Sequence, residues 1–149
     1  MRAVDTNVLV RLVVGDDARQ AHAAEAFVRQ GAWVSQLVLA ETSWVLESIY
    51  ELGPEQLAAA IEMLLNHQAL TVQDNDTVAS ALALFKDRPA LGFSDCLVLE
   101  VTRAAGHLPL GTFDRDLAAQ DGAARIEVRS RTSSARTPIP IQPTLGCPR

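Results

Sequence analysis

Cysteine is nearly absent from this chain: Cys96 and Cys147 are the only two among 149 residues. That excludes a disulfide framework and the multi-cysteine zinc spacings. Cys96 falls in an apolar helical stretch, where a buried, inert thiol is expected. The three histidines, His22, His67 and His107, stand singly without metal spacing, and none is placed as a catalytic base. Aromatic residues make up only 5% of the chain, and Trp33 and Trp44 fit core positions better than base-stacking platforms. No apolar run reaches the ~20 residues that a membrane span needs. Met1 leads straight into a strand, without the basic and apolar regions of a secretion signal. A soluble cytoplasmic protein with no membrane partner is therefore expected.

Positive charge is also scarce. Thirteen Lys and Arg face 18 Asp and Glu, for a net charge of −5. The balance is uneven along the chain. Residues 130–149 hold Arg131, Arg136, Arg149 and no acid, which leaves ten bases against 18 acids, or −8, for residues 1–129. Nucleic-acid binders are usually basic, so bulk charge argues mildly against that partner. A divalent cation held by clustered acids would reverse the local sign.

What the chain does have is a 48% hydrophobic content over a length that suits one domain with a real core. Short β-like runs alternate with helical patterns. Arg2, Ala3 and Val4 read as a strand that stops at Asp5, and Thr6 is placed to cap a helix packing Val8, Leu9, Leu12 and Val13 inward. A second helix starts at Asp16 or Asp17 and runs to Gly31. Ala32–Val34 is a strand, and Ser35 caps a helix carrying Leu37, Val38, Glu41, Trp44, Val45, Ser48 and Ile49. Gly53 and Pro54 break the chain before a helix over 55–68. A strand at Leu70–Val72 leads to a helix capped by Asp74, and Pro89–Phe93 is a loop before a helix capped by Ser94. Gly106 stops that helix. Leu108–Thr112 is a strand, Asp114–Gln120 a short helix and Arg125–Val128 a last strand. This alternation predicts an α/β fold with a parallel sheet covered on both faces.

From Ser130 the character changes. Four of the seven prolines fall in this stretch, with many Ser and Thr and no apolar period. The reading is a domain over 1–129 and a disordered tail over 130–149.

The carboxylates carry the chemistry. Asp5, Asp95 and Asp114 fall at strand or helix ends that a parallel sheet places along one rim, where open α/β sheets bind ligands. Each of Asp95 and Asp114 is, taken singly, equally explained as a helix-start acid. Glu41 lies four residues from Leu37 and from Val45, so it is expected on the apolar stripe of its helix, where an unpaired charge is costly. Four acids converging in this way form a hard oxygen site suited to Mg²⁺ or Mn²⁺.

The opening VDTNVLVRL, the Glu41 helix, GFSD at Gly92–Asp95 and TFDRDL at Thr112–Leu117 resemble a PIN-domain nuclease, and more narrowly the VapC-type toxins of bacterial toxin–antitoxin modules. The resemblance spans residues 1 to about 129. It implies a three-layer α/β/α fold around a central, mostly parallel sheet of about five strands. It matches Asp5, Glu41, Asp95 and Asp114 to the family's metal-binding acidic quartet, Asn7 and Thr112 to supporting polar positions, and Asp116 to an extra acid. The implied activity is Mg²⁺-dependent endonucleolytic cleavage of single-stranded or looped RNA, leaving a 5′-phosphate, with Mn²⁺ able to substitute. The implied partners are a small antitoxin and a second copy in a homodimer. Apolar surface on the helices over 36–50 and 55–68 suits such contacts, and internal packing explains the same pattern equally. Arg11, Lys86, Arg88 and Arg115 are candidates for RNA phosphate contacts, with exposed solubilising charge as the alternative for most of them.

Two other functions compete. An α/β phosphatase of the haloacid-dehalogenase type wants a second Asp two residues after its nucleophile, and here that position is Asn7. A catalytically silent PIN-like module that only docks a protein usually lacks one of the acids, whereas all four are present.

Overall fold

The structure, a computed structural model, describes residues 1–130. The tail expected over 130–149, Cys147 included, lies outside the described residues apart from Ser130. Chain order is β1 (Arg2–Ala3), α1 (Thr6–Val14), α2 (Ala18–Val28), β2 (Ala32–Val34), α3 (Gln36–Ser48), α4 (Pro54–Asn66), β3 (Leu70–Val72) and α5 (Asn75–Asp87). A 3-10 turn at Pro89–Leu91 then leads to α6 (Phe93–Ala104), β4 (Leu110–Thr112), α7 (Arg115–Ala118) and β5 (Ala123–Arg125). β2 and β3 coincide with the segments read from the sequence. No helix is long and apolar enough to cross a membrane, among the described residues.

The strand pairing is parallel throughout, and helices supply every crossover. β1, β2 and β3 lie side by side, with Ala3 opposite Trp33 and Val34 opposite Val72. β4 pairs with β5 as a separate two-stranded sheet. The five expected strands therefore form, but their hydrogen bonding divides three and two instead of running through one sheet. Strands of two or three residues offer only a few ladder bonds each. Side-chain packing joins the halves instead, since Leu117, Leu110 and Ala123 pack into the same core as Leu9, Val34 and Leu39. β5 also lies earlier than the Arg125–Val128 expected. Its register is set by β4, with the Leu110 N–H on the Gly122 carbonyl and the Ile126 N–H on that of Thr112, both 2.8 Å.

Local capping explains where most helices begin. Asp17 and Ser35 accept from the backbone N–H groups of Gln20 and Val38 at 3.0 and 3.1 Å, satisfying donors that a helix start leaves free. Pro54 opens α4, where its missing N–H is no loss. The start of α6 departs from expectation. Gly92 is the cap, at φ +78°, a region L side chains rarely enter, so the helix begins at Phe93 and not after Ser94. That turn drives Phe93 fully into the core, edge-on to Phe85 at 6.1 Å between ring centres.

Two expectations about burial fail. Trp33 is 37% exposed, because β2 turns Ala32 and Val34 inward and the residue between them outward. Trp44 is 59% exposed, because α3 buries Leu39, Thr42, Ser43 and Leu46, the face opposite the one read as its stripe.

Candidate active site

Asp5 stands where β1 ends. The Val4 N–H still bonds the Trp33 carbonyl across the sheet at 3.1 Å, and one residue later the chain turns into α1. Asp5, not Thr6, is the helix cap: its Oδ1 accepts from the Val8 N–H at 3.1 Å, and no hydrogen bond engages Oδ2 among the described residues. This frees Thr6, buried in the first turn of α1, for another partner. Its hydroxyl donates to Glu41 Oε2 at 2.5 Å across 35 residues of sequence. Glu41 is thereby tied to the first turn of α1 although it is solvent-exposed, and Leu37 one turn before it is 79% exposed. The sequence reading of Glu41 as a charge on the buried stripe is overturned. What locates Glu41 is the hydroxyl of Thr6.

Asp95 approaches from α6 and Asp114 from the β4–α7 turn. Partial burial pushes the Asp95 carboxyl above its ordinary range, and the charge of Asp114 adds to the rise. The two carboxylates are therefore electrostatic neighbours. Asp114 caps α7, with Oδ1 accepting from the Leu117 N–H at 2.8 Å. Thr112 accepts the Asp114 N–H on its hydroxyl at 3.0 Å, so it steadies the backbone of that acid. None of Asp5, Glu41, Asp95 and Asp114 is in an ion pair among the described residues.

A pair of hydroxyls ties the two halves together. Ser43, two residues after Glu41, and Ser94, one before Asp95, lie 3.3 Å apart. Ser43 spends its only hydroxyl proton on the Ala40 carbonyl at 2.7 Å, so Ser94 is the donor to Ser43. Sequence reasoning missed Thr6 and Ser43 as site residues. The available signal was their type: buried hydroxyls one and two positions from a candidate acid. Beside Asp95, Cys96 is buried, and burial first, then the charges of Asp95 and Glu100, push its thiol up to about 11. It stays a neutral packing residue, as expected.

The other expected site residues are not gathered with the quartet. Asn7 lines a cleft of about 290 Å³ between α1 and α2 with Val8, Arg11 and Phe27, and makes no hydrogen bond to the carboxylates. Asp116 lines a different cleft, also about 290 Å³, with Arg88 and Pro89. Arg11 is engaged elsewhere: it reaches Asp16 and Gln20 at 2.6 Å and the Tyr50 hydroxyl at 3.2 Å, a clamp between α1, α2 and the end of α3. Lys86 pairs with Glu62 at 3.1 Å and Arg88 with Asp87 at 3.3 Å. Arg115, next to Asp114, makes no ion pair among the described residues.

Among the described residues, no three acids, histidines or cysteines are drawn close enough to grip one ion together. Glu41 is bonded to Thr6, the residue after Asp5, Asp95 feels the charge of Asp114, and the Ser43–Ser94 contact links α3 to the start of α6. The donor set nonetheless fits a hard divalent cation. It is all carboxylate, it is in no ion pair among the described residues, and Asp5 and Asp114 each keep one oxygen outside their capping bonds.

An α/β domain of parallel strands and crossover helices, with carboxylates just beyond β1 and β4 and at the start of α6, is the class that fold and site define. The PIN domain family profile matches residues 2–123, and the chain belongs to the PIN-domain family. Among solved structures it is similar to the VapC20 toxin of Mycobacterium tuberculosis, described as Sarcin-Ricin loop cleaving, at 23% identity and a TM-score of 0.38. That similarity covers 87% of this chain and 100% of the other. No curated protein matches the sequence significantly.

Proposed function

We propose that this PIN domain is a Mg²⁺- or Mn²⁺-dependent endoribonuclease of the toxin type, acting in the cytoplasm. What supports the reading is the set of acids Asp5, Glu41, Asp95 and Asp114, none in an ion pair among the described residues, with Glu41 bonded to Thr6 next to Asp5 and Asp95 under the charge of Asp114. Asp5 and Asp95 are the direct metal ligands, with Glu41 and Asp114 binding directly or through water. A bound cation would supply Lewis-acid stabilisation of the phosphodiester and a water of lowered pKa. The protein's own part is positioning. Thr6 holds Glu41 Oε2 and leaves Oε1 for the cation or its water. The capping bonds of Asp5 and Asp114 fix the aim of those two carboxylates. At Asp95, partial burial and then the charge of Asp114 disfavour the charged form when no cation is present.

Partners follow from the same reading: RNA as substrate, a small antitoxin, and a second copy of the chain. Exposed Ile49 and Met63 support protein contacts through the end of α3 and through α4. Ile49 lies eight residues past Glu41, about 12 Å along the helix axis.

The test is cleavage of RNA by the purified chain in Mg²⁺ or Mn²⁺. Cleavage that EDTA abolishes is expected. Absence of cleavage in both ions, or undiminished cleavage in EDTA, overturns the assignment and favours a silent binding module.

Thr6→Val keeps the shape of the buried side chain and removes the donor to Glu41. A partner that orients a ligand in this way is worth roughly 10–100-fold in activity or metal affinity, so a loss of that size is expected. Thr6→Ser should restore most of it. A Thr6→Val protein with wild-type kcat/KM at limiting Mg²⁺ would show that Glu41 needs no such anchor.

A further inference from the structure

Each half of the site carries a large aromatic side chain that the fold leaves in water. Trp44 follows Glu41 by three residues on α3, so it occupies the same outer face, about 5–6 Å away between Cβ atoms. It is 59% exposed. Phe113, in the turn between β4 and α7, directly precedes Asp114 and is 65% exposed. Neither is a loose surface residue. Trp44 adjoins Ser43, which is buried and bonded towards Asp95 through Ser94. Phe113 sits between Thr112, held in the strand ladder by the Ile126 N–H, and Asp114, whose N–H is bonded to the Thr112 hydroxyl. Both rings are offered from fixed backbone, which lowers the entropy lost when a ligand orders them.

The charge of the site makes such rings useful. RNA binding normally draws its affinity from Lys and Arg on phosphates. Here Arg11, Lys86 and Arg88 are engaged by Asp16, Glu62 and Asp87, and the rim itself is anionic. Of the four basic residues considered, Arg115 alone has no acidic partner among the described residues. An aromatic face stacking on a nucleobase supplies a grip that does not depend on phosphate charge. The base of a nucleotide lies one ribose away from its phosphate. A chain whose phosphate reaches the carboxylates therefore brings its flanking bases to side chains one residue or one turn beyond them.

Resting on the nuclease reading above, we propose that Trp44 and Phe113 are the substrate-positioning residues, stacking on unpaired bases on either side of the scissile phosphate.

The experiment uses the full chain. Trp44→Leu and Phe113→Leu keep apolar bulk and remove the π face, and melting curves check that both remain folded. The expected result is a KM for single-stranded RNA raised about tenfold by each, with kcat within about twofold of wild type and rescue by Phe113→Tyr. In a Trp33→Phe background, where Trp44 is the remaining tryptophan, a single-stranded oligoadenylate should quench the fluorescence in EDTA. An abasic ribose-phosphate oligomer should not. Unchanged KM in both Leu variants overturns the inference while leaving the nuclease intact. So does a Trp44→Leu protein that changes oligomeric state with unchanged KM, which would make this face a protein contact. If wild type cuts no RNA, the nuclease reading fails separately, and the quench decides stacking: no quench, or equal quench by the abasic oligomer, overturns it.

Discussion

Asp5→Asn and Asp95→Asn are each expected to cut RNA cleavage by about 10²–10⁴-fold, the several kcal/mol that metal-borne charge stabilisation contributes to such a reaction. The substitution removes a metal-binding charge at almost constant shape. For Asp5 it also keeps the helix start intact, because Asn caps helices about as well as Asp and its side-chain oxygen can still accept the Val8 N–H. Both variants should therefore fold like wild type by circular dichroism while losing activity at every Mg²⁺ concentration. Either variant retaining wild-type kcat would remove that acid from the site. The complementary control is Asp116→Asn. Asp116 lines the cleft beside Arg88 and Pro89 instead of joining the quartet, and cleavage should change by less than about twofold, the range of a surface substitution of ±0.5 kcal/mol.

The second large effect is a crossover in stability. Asp95→Asn should melt about 2–4 °C above wild type in EDTA at neutral pH, corresponding to about 1 kcal/mol in a chain of this size. The charge on Asp95 is disfavoured in the fold by partial burial and by Asp114, and solvent screening at this exposed residue keeps the effect at that modest scale. The sign follows from linkage. A carboxyl whose folded pKa lies above its unfolded one contributes most to stability below the unfolded value. That contribution is lost as pH rises through the folded value. The advantage of Asp95→Asn should thus be largest at pH 7 and shrink as pH falls towards the ordinary Asp range near 3.8. Comparing the two proteins at each pH cancels the other acids, which both share. In excess Mg²⁺ the order should reverse, since a cation that binds the folded wild type stabilises it by mass action. Should Asp95→Asn melt below wild type in EDTA at pH 7, Asp95 is an ordinary helix-start acid and not part of a crowded site.

The two results separate the roles of one residue. Together they would make Asp95 costly to the empty fold and necessary to the loaded one, the pattern expected where a site is built at some expense in stability. Asp5 and Asp114 follow a different pattern, because each also caps a helix. Removing either with Ala instead of Asn would mix a lost ligand with a lost cap, worth roughly 0.5–2 kcal/mol.

Much of the fold is a local property of the chain. β2 and β3 lie where the sequence placed them, because Gly31 before one and the helix-capping Ser35 after it bound a run that nothing else suits. Asp17, Ser35 and Pro54 announce helices within one turn of themselves, since a helix start needs its free N–H groups satisfied on the spot. The position of Asp5 at the end of β1, and the PIN-like order of four acids, were legible for the same reason. What only the tertiary structure decided is everything that depends on a partner far along the chain. Thr6 was read as a cap from its neighbours, and its partner proved to be Glu41, 35 residues away. Arg11 is a candidate phosphate contact from its place in the sequence, and the fold engages it with Asp16, Gln20 and Tyr50 instead. Trp44 and Leu37 face water because α3 could bury either of two apolar faces, and its contacts with α1 and α6 selected the other one. Spacing shows that a helix has a face to bury. Which face it buries is settled by the sum of weak packing contacts from elements distant in sequence, and no local pattern contains that sum.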